Sequence, residues 1–229
     1  MKRLLSSIFV LALFLSACAP AASDTTAPTA AATVQSPGAT PTTSTIPVTG
    51  GQTVYKIVPA ESKASYEVTE TLFNKNNKIN VAIGVTNTIS GNINADKSNP
   101  AATTLGPITV DISKFVSDSG QRDRFIQRNF LQSNTYPTAT FVCKTITGLP
   151  ASYTEGTDYS FQMSGDLTVK TTTQPVTFQV TARLTGDTLS GSATTQVLMS
   201  QFGVGPISLL GILQTQDQVK ITFDFVARP

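Results

Sequence analysis

Residues 161–170, FQMSGDLTVK, set Phe161, Met163, Leu167 and Val169 at one parity and Gln162, Ser164, Asp166, Thr168 and Lys170 at the other. Successive side chains of an extended strand point to opposite faces, so this stretch predicts a strand with one apolar and one wet face. The same period of two returns in KASYEVTE with Ala64, Tyr66 and Val68, and in TATFVCKT with Phe141 and Cys143 on one face. It returns again in QPVTFQVTARL with Val176, Phe178, Val180, Ala182 and Leu184, and in QVKITFDFVA with Val219, Ile221, Phe223, Phe225 and Ala227. PITVDIS and the weaker TLSGSATTQVLMS add strands, and INVAIGVTNTISGNINAD predicts two that meet near Thr86 and Asn87. Short polar turns such as KTTTQ and TGD favour antiparallel neighbours. Eight or more one-sided strands pack as a sandwich or close as a barrel; closure removes the edges, so an all-β, extended antiparallel barrel is expected.

One segment breaks the alternation. In SDSGQRDRFIQRNFLQSNTYP, residues 117–137, Ile126 to Phe130 and Gln127 to Leu131 are four-residue steps. Asp118 or Ser119 is the expected cap of a short amphipathic helix that stops before Tyr136-Pro137. Such a helix closes one end of a barrel, with Phe125, Ile126 and Phe130 turned to the interior.

The first fifth of the chain belongs to no core. Met1–Ala17 carries Lys2 and Arg3, then an apolar run too short for a permanent span, then small residues, the pattern of an export signal. Its end, LSAC, resembles the lipobox of bacterial lipoproteins. That resemblance implies cleavage before Cys18, a diacylglyceryl group on its thiol and acylation of the new N-terminus; the alternative is an ordinary secretory signal that contains a cysteine. Several acyl chains hold a protein firmly where one does not. The expected location is therefore outside the cytoplasm, on the outer face of the cytoplasmic membrane or on the outer membrane. Residues 18–52 are mostly Ala, Thr, Ser and Pro with Asp24 as the only charge, which reads as an unstructured tether. Residues 53–229 are left as one domain.

Charge and residue usage exclude several functions. The 229 residues hold 16 Lys and Arg against 14 Asp and Glu. A leader that removes Lys2 and Arg3 leaves 14 of each, so no basic field awaits nucleic acid. With Cys18 lipidated, Cys143 has no partner in the chain, and its place beside Phe141 reads as a small buried hydrophobe rather than a reactive thiol. The chain has no histidine, so the usual general base and the commonest metal ligand are both missing. No paired-carboxylate motif or phosphate-cradling glycine loop stands in. No enzyme activity, metal or cofactor is expected.

The order of the pieces is similar to a known family. ASYEV, SGNINAD, ITVDIS, then RDRF, NFL and TYPTATF, then SGDLTVKTTTQPVTFQV, QFGVG and DQVKITFDFVA resemble the YceI-like, lipocalin-like family of bacterial polyisoprenoid-binding proteins across residues 53–229. The Arg122-Asp123 pair, the Tyr136-Pro137 turn into Phe141 and the GDLTVKTTTQPV hairpin carry the resemblance most. It implies a barrel with a helix at one side around an apolar tunnel for an isoprenoid chain. Family members often carry histidines in the early strands and after the Arg-Asp pair, where this chain has Phe125, and TETLFNKNNKINVAIGVTN is unlike their short connection.

From pattern alone the inward faces predict a filled core, since any barrel needs apolar residues inside. The resemblance reverses this and implies a lined tunnel for a polyprenyl quinone, a polyprenyl phosphate or another long-chain apolar lipid. Its expected lining is Phe125, Ile126, Phe130, Phe141, Cys143, Phe161, Met163, Leu167, Phe178, Val180, Phe202, Leu209, Leu210 and Phe223. Arg122, Arg124 and Arg128 either frame a polar mouth or form a solvated helix face. The uncharged QFGVGPISLLGIL, residues 201–213, is either a lip over the tunnel or a buried crossover. The competing function is a filled surface module that binds another protein, and a homodimer is left open.

Overall fold

The structure is a computed structural model that describes residues 51–229; the leader, Cys18 and the tether to residue 50 lie outside the described residues. Thirteen strands and one α-helix follow in order: β1 (Gln52–Ile57), β2 (Lys63–Leu72), β3 (Lys78–Thr86), β4 (Ile89–Ser90), β5 (Asn92–Asp96), β6 (Thr104–Leu105), β7 (Ile108–Asp111), α1 (Gly120–Asn129), β8 (Thr138–Thr147), β9 (Tyr159–Val169), β10 (Thr172–Thr185), β11 (Thr188–Leu198), β12 (Ser208–Leu209) and β13 (Leu213–Arg228). All pairings are antiparallel and belong to one curled sheet, a lipocalin-like barrel.

Two long bent strands close it. β1 and β2 both run along β13, with Ile57 opposite Ala227 and Ala64 opposite Phe223. Between them Pro59–Glu61 makes a single tight turn, and the buried Ser62 hydroxyl takes the Val226 N–H at 3.0 Å across the gap. β3, β4 and β5 form the next bent strand: β3 pairs with β2, β5 with β1, and β4 with β7. The bend falls at Gly91, where a Cβ would lie 3.1 Å from the Pro107 carbonyl oxygen and against the Ile108 side chain. Since β7 continues to β8 and onward to β13, the ring of pairings returns to its start.

Tight hairpins fix the register of the long strands. Val169 faces Thr172 and Thr185 faces Thr188, so each turn has two central residues. Two-residue hairpins that match strand twist need positive φ, found at Lys170 (56°) and Gly186 (57°). With register set, Val176, Phe178, Val180, Ala182 and Leu184 all point inward and are buried.

Helix α1 fills the wall where β7 stops short. Ser119 caps it, its hydroxyl accepting the Arg122 N–H at 3.3 Å. The Asp123 carboxylate accepts the Ser117 N–H at 3.0 Å and the Ser117 hydroxyl at 2.6 Å, tying the first turn to the preceding loop. Gln127 donates to the Ser113 and Phe115 carbonyls at 3.1 Å each. Lys170, at the β9–β10 turn, donates to the Phe130 carbonyl at 3.1 Å and holds the helix end against the barrel rim.

Candidate ligand cavity

The inner wall is built in rows across the strands. In one row Phe161, Val180, Ala193, Phe223 and Ala64 stand side by side on five neighbouring strands. The alanines are too short to meet large side chains from the far wall, so the rows do not fill the lumen. What remains is a cavity of ≈ 320 Å³, within the range of about 300–1,000 Å³ common for small-molecule sites. Phe161, Met163, Val219, Ile221 and Phe223 sit mid-strand yet keep accessible surface, because they border this space rather than other side chains.

Ile126, Phe141, Phe161, Met163, Leu167, Phe178, Val180, Phe202 and Phe223 all line the cavity, joined by Tyr66 and Leu131, which the patterns placed on a strand and on the helix without assigning them to the lining, and by Leu105, Ile146, Tyr153 and Tyr159, which the patterns did not single out. Five expected residues lie off the wall. Phe125 and Phe130 pack on each other with ring centroids 5.6 Å apart, and the chain leaving α1 turns Leu131 inward instead. Cys143 precedes a β-bulge opposite Gly165 and Ser164; beyond the extra residue Ile146, not Thr145, faces inward. Gly165 permits that close crossing, since a Cβ there would lie 2.2 Å from the Val142 carbonyl oxygen. Burial pushes the Cys143 thiol up, so it carries little thiolate.

Leu209 sits in the β12 hairpin and Leu210 is wholly exposed at its turn. Residues 201–213 therefore divide. Phe202, Val204 and Ile207 are buried and close one end of the cavity, whereas the remainder is a surface hairpin pairing β12 with β13.

None of the three arginines borders the cavity. Arg124 and Arg128 are on the exposed face of α1. Arg122 turns the other way: its Nη2 donates to Glu70 Oε1 at 2.8 Å, its Nη1 to Asp118. Glu70 follows Tyr66 and Val68 on the inward face of β2, is only 2% exposed, and also accepts from Asn80 Nδ2 at 2.8 Å. This buried pair fastens α1 to β2 and β3. Beside it, burial and the nearby Asp123 charge push the Tyr66 phenol up to about 12, so it stays neutral.

The polar end lies opposite, beyond the β10–β11 turn. Among the described residues Asp96 and Lys97 are the only charged ones on the lining, and Lys97 is its one exposed member, so the cavity meets water there. Lys97 Nζ donates to the Gly186 carbonyl at 3.3 Å and lies 3.9 Å from Asp187. The Tyr153 hydroxyl donates to the Leu184 carbonyl at 3.0 Å, and the Tyr159 hydroxyl accepts the Thr154 N–H at 2.8 Å, leaving its own proton free. Four carboxylates, Asp96, Glu155, Asp158 and Asp187, gather at this end against Lys97 and Arg183. Among the described residues no group of three or more Cys, Asp or Glu is placed to hold a metal ion.

The sequence profile described as YceI-like domain matches residues 55–227. Burkholderia cenocepacia BcnA is 25% identical, with a TM-score of 0.57 over 74% of this chain and 98% of its own. A polyisoprenoid binding domain from Saccharophagus degradans implicated in plant cell wall breakdown is 11% identical, with a TM-score of 0.56 over 76% and 97%. A variant of the Campylobacter jejuni YceI protein is 17% identical, with a TM-score of 0.51 over 62% and 81%. No curated protein matches the chain significantly.

Proposed function

The chain belongs to the YceI-like domain family, and from that membership and its cavity we propose that it binds an apolar isoprenoid-type lipid inside the barrel. The observation that carries this is the form of the cavity: an aliphatic and aromatic lumen with all its charge at one wet end. An isoprenoid chain needs the first and its polar head the second. The polyisoprenoid-binding Saccharophagus degradans neighbour, alike in fold, supports the ligand class.

The charges at the wet end favour a neutral head over an anionic one. Arg183 is held by both oxygens of Asp158, at 2.8 and 2.6 Å, and Lys97 contacts the Gly186 carbonyl and Asp187, so among the described residues neither cation at this end is without a partner to set against a phosphate. The free Tyr159 proton suits a carbonyl oxygen. A polyprenyl quinone thus fits better than a polyprenyl phosphate. The protein acts as a binding protein, carrying or sequestering its lipid, rather than as an enzyme.

Mass spectrometry of an organic extract of the full-length protein, purified without delipidation, tests this. About one polyprenyl molecule per chain is expected; protein carrying none, and taking up neither a polyprenyl quinone nor a polyprenyl phosphate, would leave a surface interaction module as the function.

The location follows from LSAC, residues 15–18. The protein is exported and held to a membrane by acyl groups on Cys18, at about 0.8 kcal/mol per buried CH₂. Cys18→Ala is expected to abolish lipidation and to release the protein or leave the precursor uncut. Intact-mass measurement of the wild type decides: an unmodified Cys18 removes the anchor.

A further inference from the structure

Strand β3 is turned inside out relative to the rest of the barrel. Its inward positions are Asn80, Ala82, Gly84 and Thr86, while Ile79, Val81, Ile83 and Val85 point outward and are all exposed, Ile79 at 67%. Gly84 is required on the inside, because a Cβ there would enter the Tyr66 ring at 2.2 Å. Nothing inside the barrel requires the β-branched residues on the outside.

The same residues have unpartnered backbone. β3 pairs with β2 on one side only. Val85 exchanges both backbone hydrogen bonds with Val116, at 2.9 Å each, on the other side. Backbone groups of alternate residues point the same way, so those of Ile79, Val81 and Ile83 also face that side, where no strand lies among the described residues. Natural edges are usually blunted by a lysine, a proline or a bulge. From Ile79 to Val85 this one has no charge, no proline and no bulge.

We propose that this edge is the interface with a second copy of the chain, the two β3 strands pairing antiparallel about a two-fold axis at Val81. That register sets Val81 against the partner's Val81, and Ile79 against the partner's Ile83, as pairs exchanging backbone hydrogen bonds. It continues the sheet from one barrel into the next. The occupant is a second copy because a two-fold contact must be self-complementary, and an uncharged aliphatic stripe is. Its border is compatible as well. On the outer faces of β2 and β13 the charges are already matched within one chain, Glu67 with Lys220 at 3.0 Å and Lys63 with Asp224 at 3.4 Å. Lys78, which makes no ion pair among the described residues, falls opposite the second copy's Gly84 in this register rather than opposite its Lys78. The interface does not depend on whether the cavity holds a lipid.

Cross-linking of the full-length chain tests the pairing on membranes or in detergent. Directly opposed residues of such a pair have Cα atoms about 5.5 Å apart, within disulfide reach. Val81→Cys is expected to give a disulfide dimer of twice the chain mass under mild oxidation. Wild type, which retains Cys143, and Thr177→Cys on the outer face of β10 should not. Adding Ile83→Lys to Val81→Cys should remove the dimer. Every substituted site is exposed, so thermal midpoints should stay at the wild-type value and separate loss of pairing from loss of fold. A Val81→Cys chain that remains monomeric, or cross-links no more than Thr177→Cys, overturns the proposal.

Discussion

Arg122→Met is expected to destabilise the barrel by about 3–5 kcal/mol, the usual result of removing one partner from a buried ion pair. Arg122 is 18% exposed and Glu70 2%, so the carboxylate is the member that loses its compensation. Asn80 would remain as a neutral donor, which does not balance a buried charge. The contact with Asp118 adds little, since that carboxylate is mostly in water. For a domain of this size each kcal/mol moves the thermal midpoint by about 2–4 °C, so a fall of roughly 10 °C is the expected reading. Glu70→Leu combined with Arg122→Met should recover most of it, because no unpaired charge is then buried. A single substitution costing under about 1 kcal/mol would show that water reaches Glu70 and that the pair does not fasten the helix.

Met163→Trp is expected to weaken lipid binding roughly 5- to 150-fold while leaving the empty protein almost as stable as wild type. Met163 lies opposite Phe178 on the neighbouring strand, and both border the cavity. An indole there extends into open space. In a filled core the same change costs about 1–3 kcal/mol in forced packing. Here that cost falls on the complex alone, which weakens binding roughly 5- to 150-fold. Titration of stripped protein with a polyprenyl quinone, alongside its thermal unfolding, separates the outcomes. The lipid should also raise the wild-type midpoint more than that of the variant, since a ligand that binds only the folded state stabilises it in proportion to its affinity. If the stripped variant unfolds well below wild type and wild type binds no lipid, the inner face of β9 meets protein rather than a ligand.

Much of the architecture was legible in local pattern. Alternation over β2, β8, β9, β10 and β13 is a property of the chain itself, because an extended backbone sends neighbouring side chains to opposite faces. The short helix was likewise announced by Ser119 and by the four-residue steps after it. Most of the aromatic residues expected inside followed from the same parity. The places where expectation and structure part are places where parity is interrupted or insufficient. The bulge after Cys143 changes which residue faces inward by inserting one residue, and no composition signal marks it. Phe125 and Phe130 satisfy a helical pattern, but the direction in which the chain leaves α1 makes Ile126 and Leu131 the cavity residues.

The polar end of the site shows the limit most clearly. Three arginines on one segment drew attention to the helix, whereas Asp96, Lys97, Tyr153 and Tyr159 are spread over the end of β5, the start of β9 and the loops beside them, with no shared pattern. They meet only because β5, β9 and the β10–β11 turn end at the same rim. By itself, then, the sequence determined the strands, their faces, the single helix and the membership of the fold, since each depends on neighbours in the chain. Only the tertiary structure decided that the lumen is hollow, which end is wet, that Arg122 serves the fold rather than the mouth, and that β3 presents its apolar residues outward. Those features depend on side-chain volumes summed across strands far apart in sequence and on where the strands end, quantities that no local period contains.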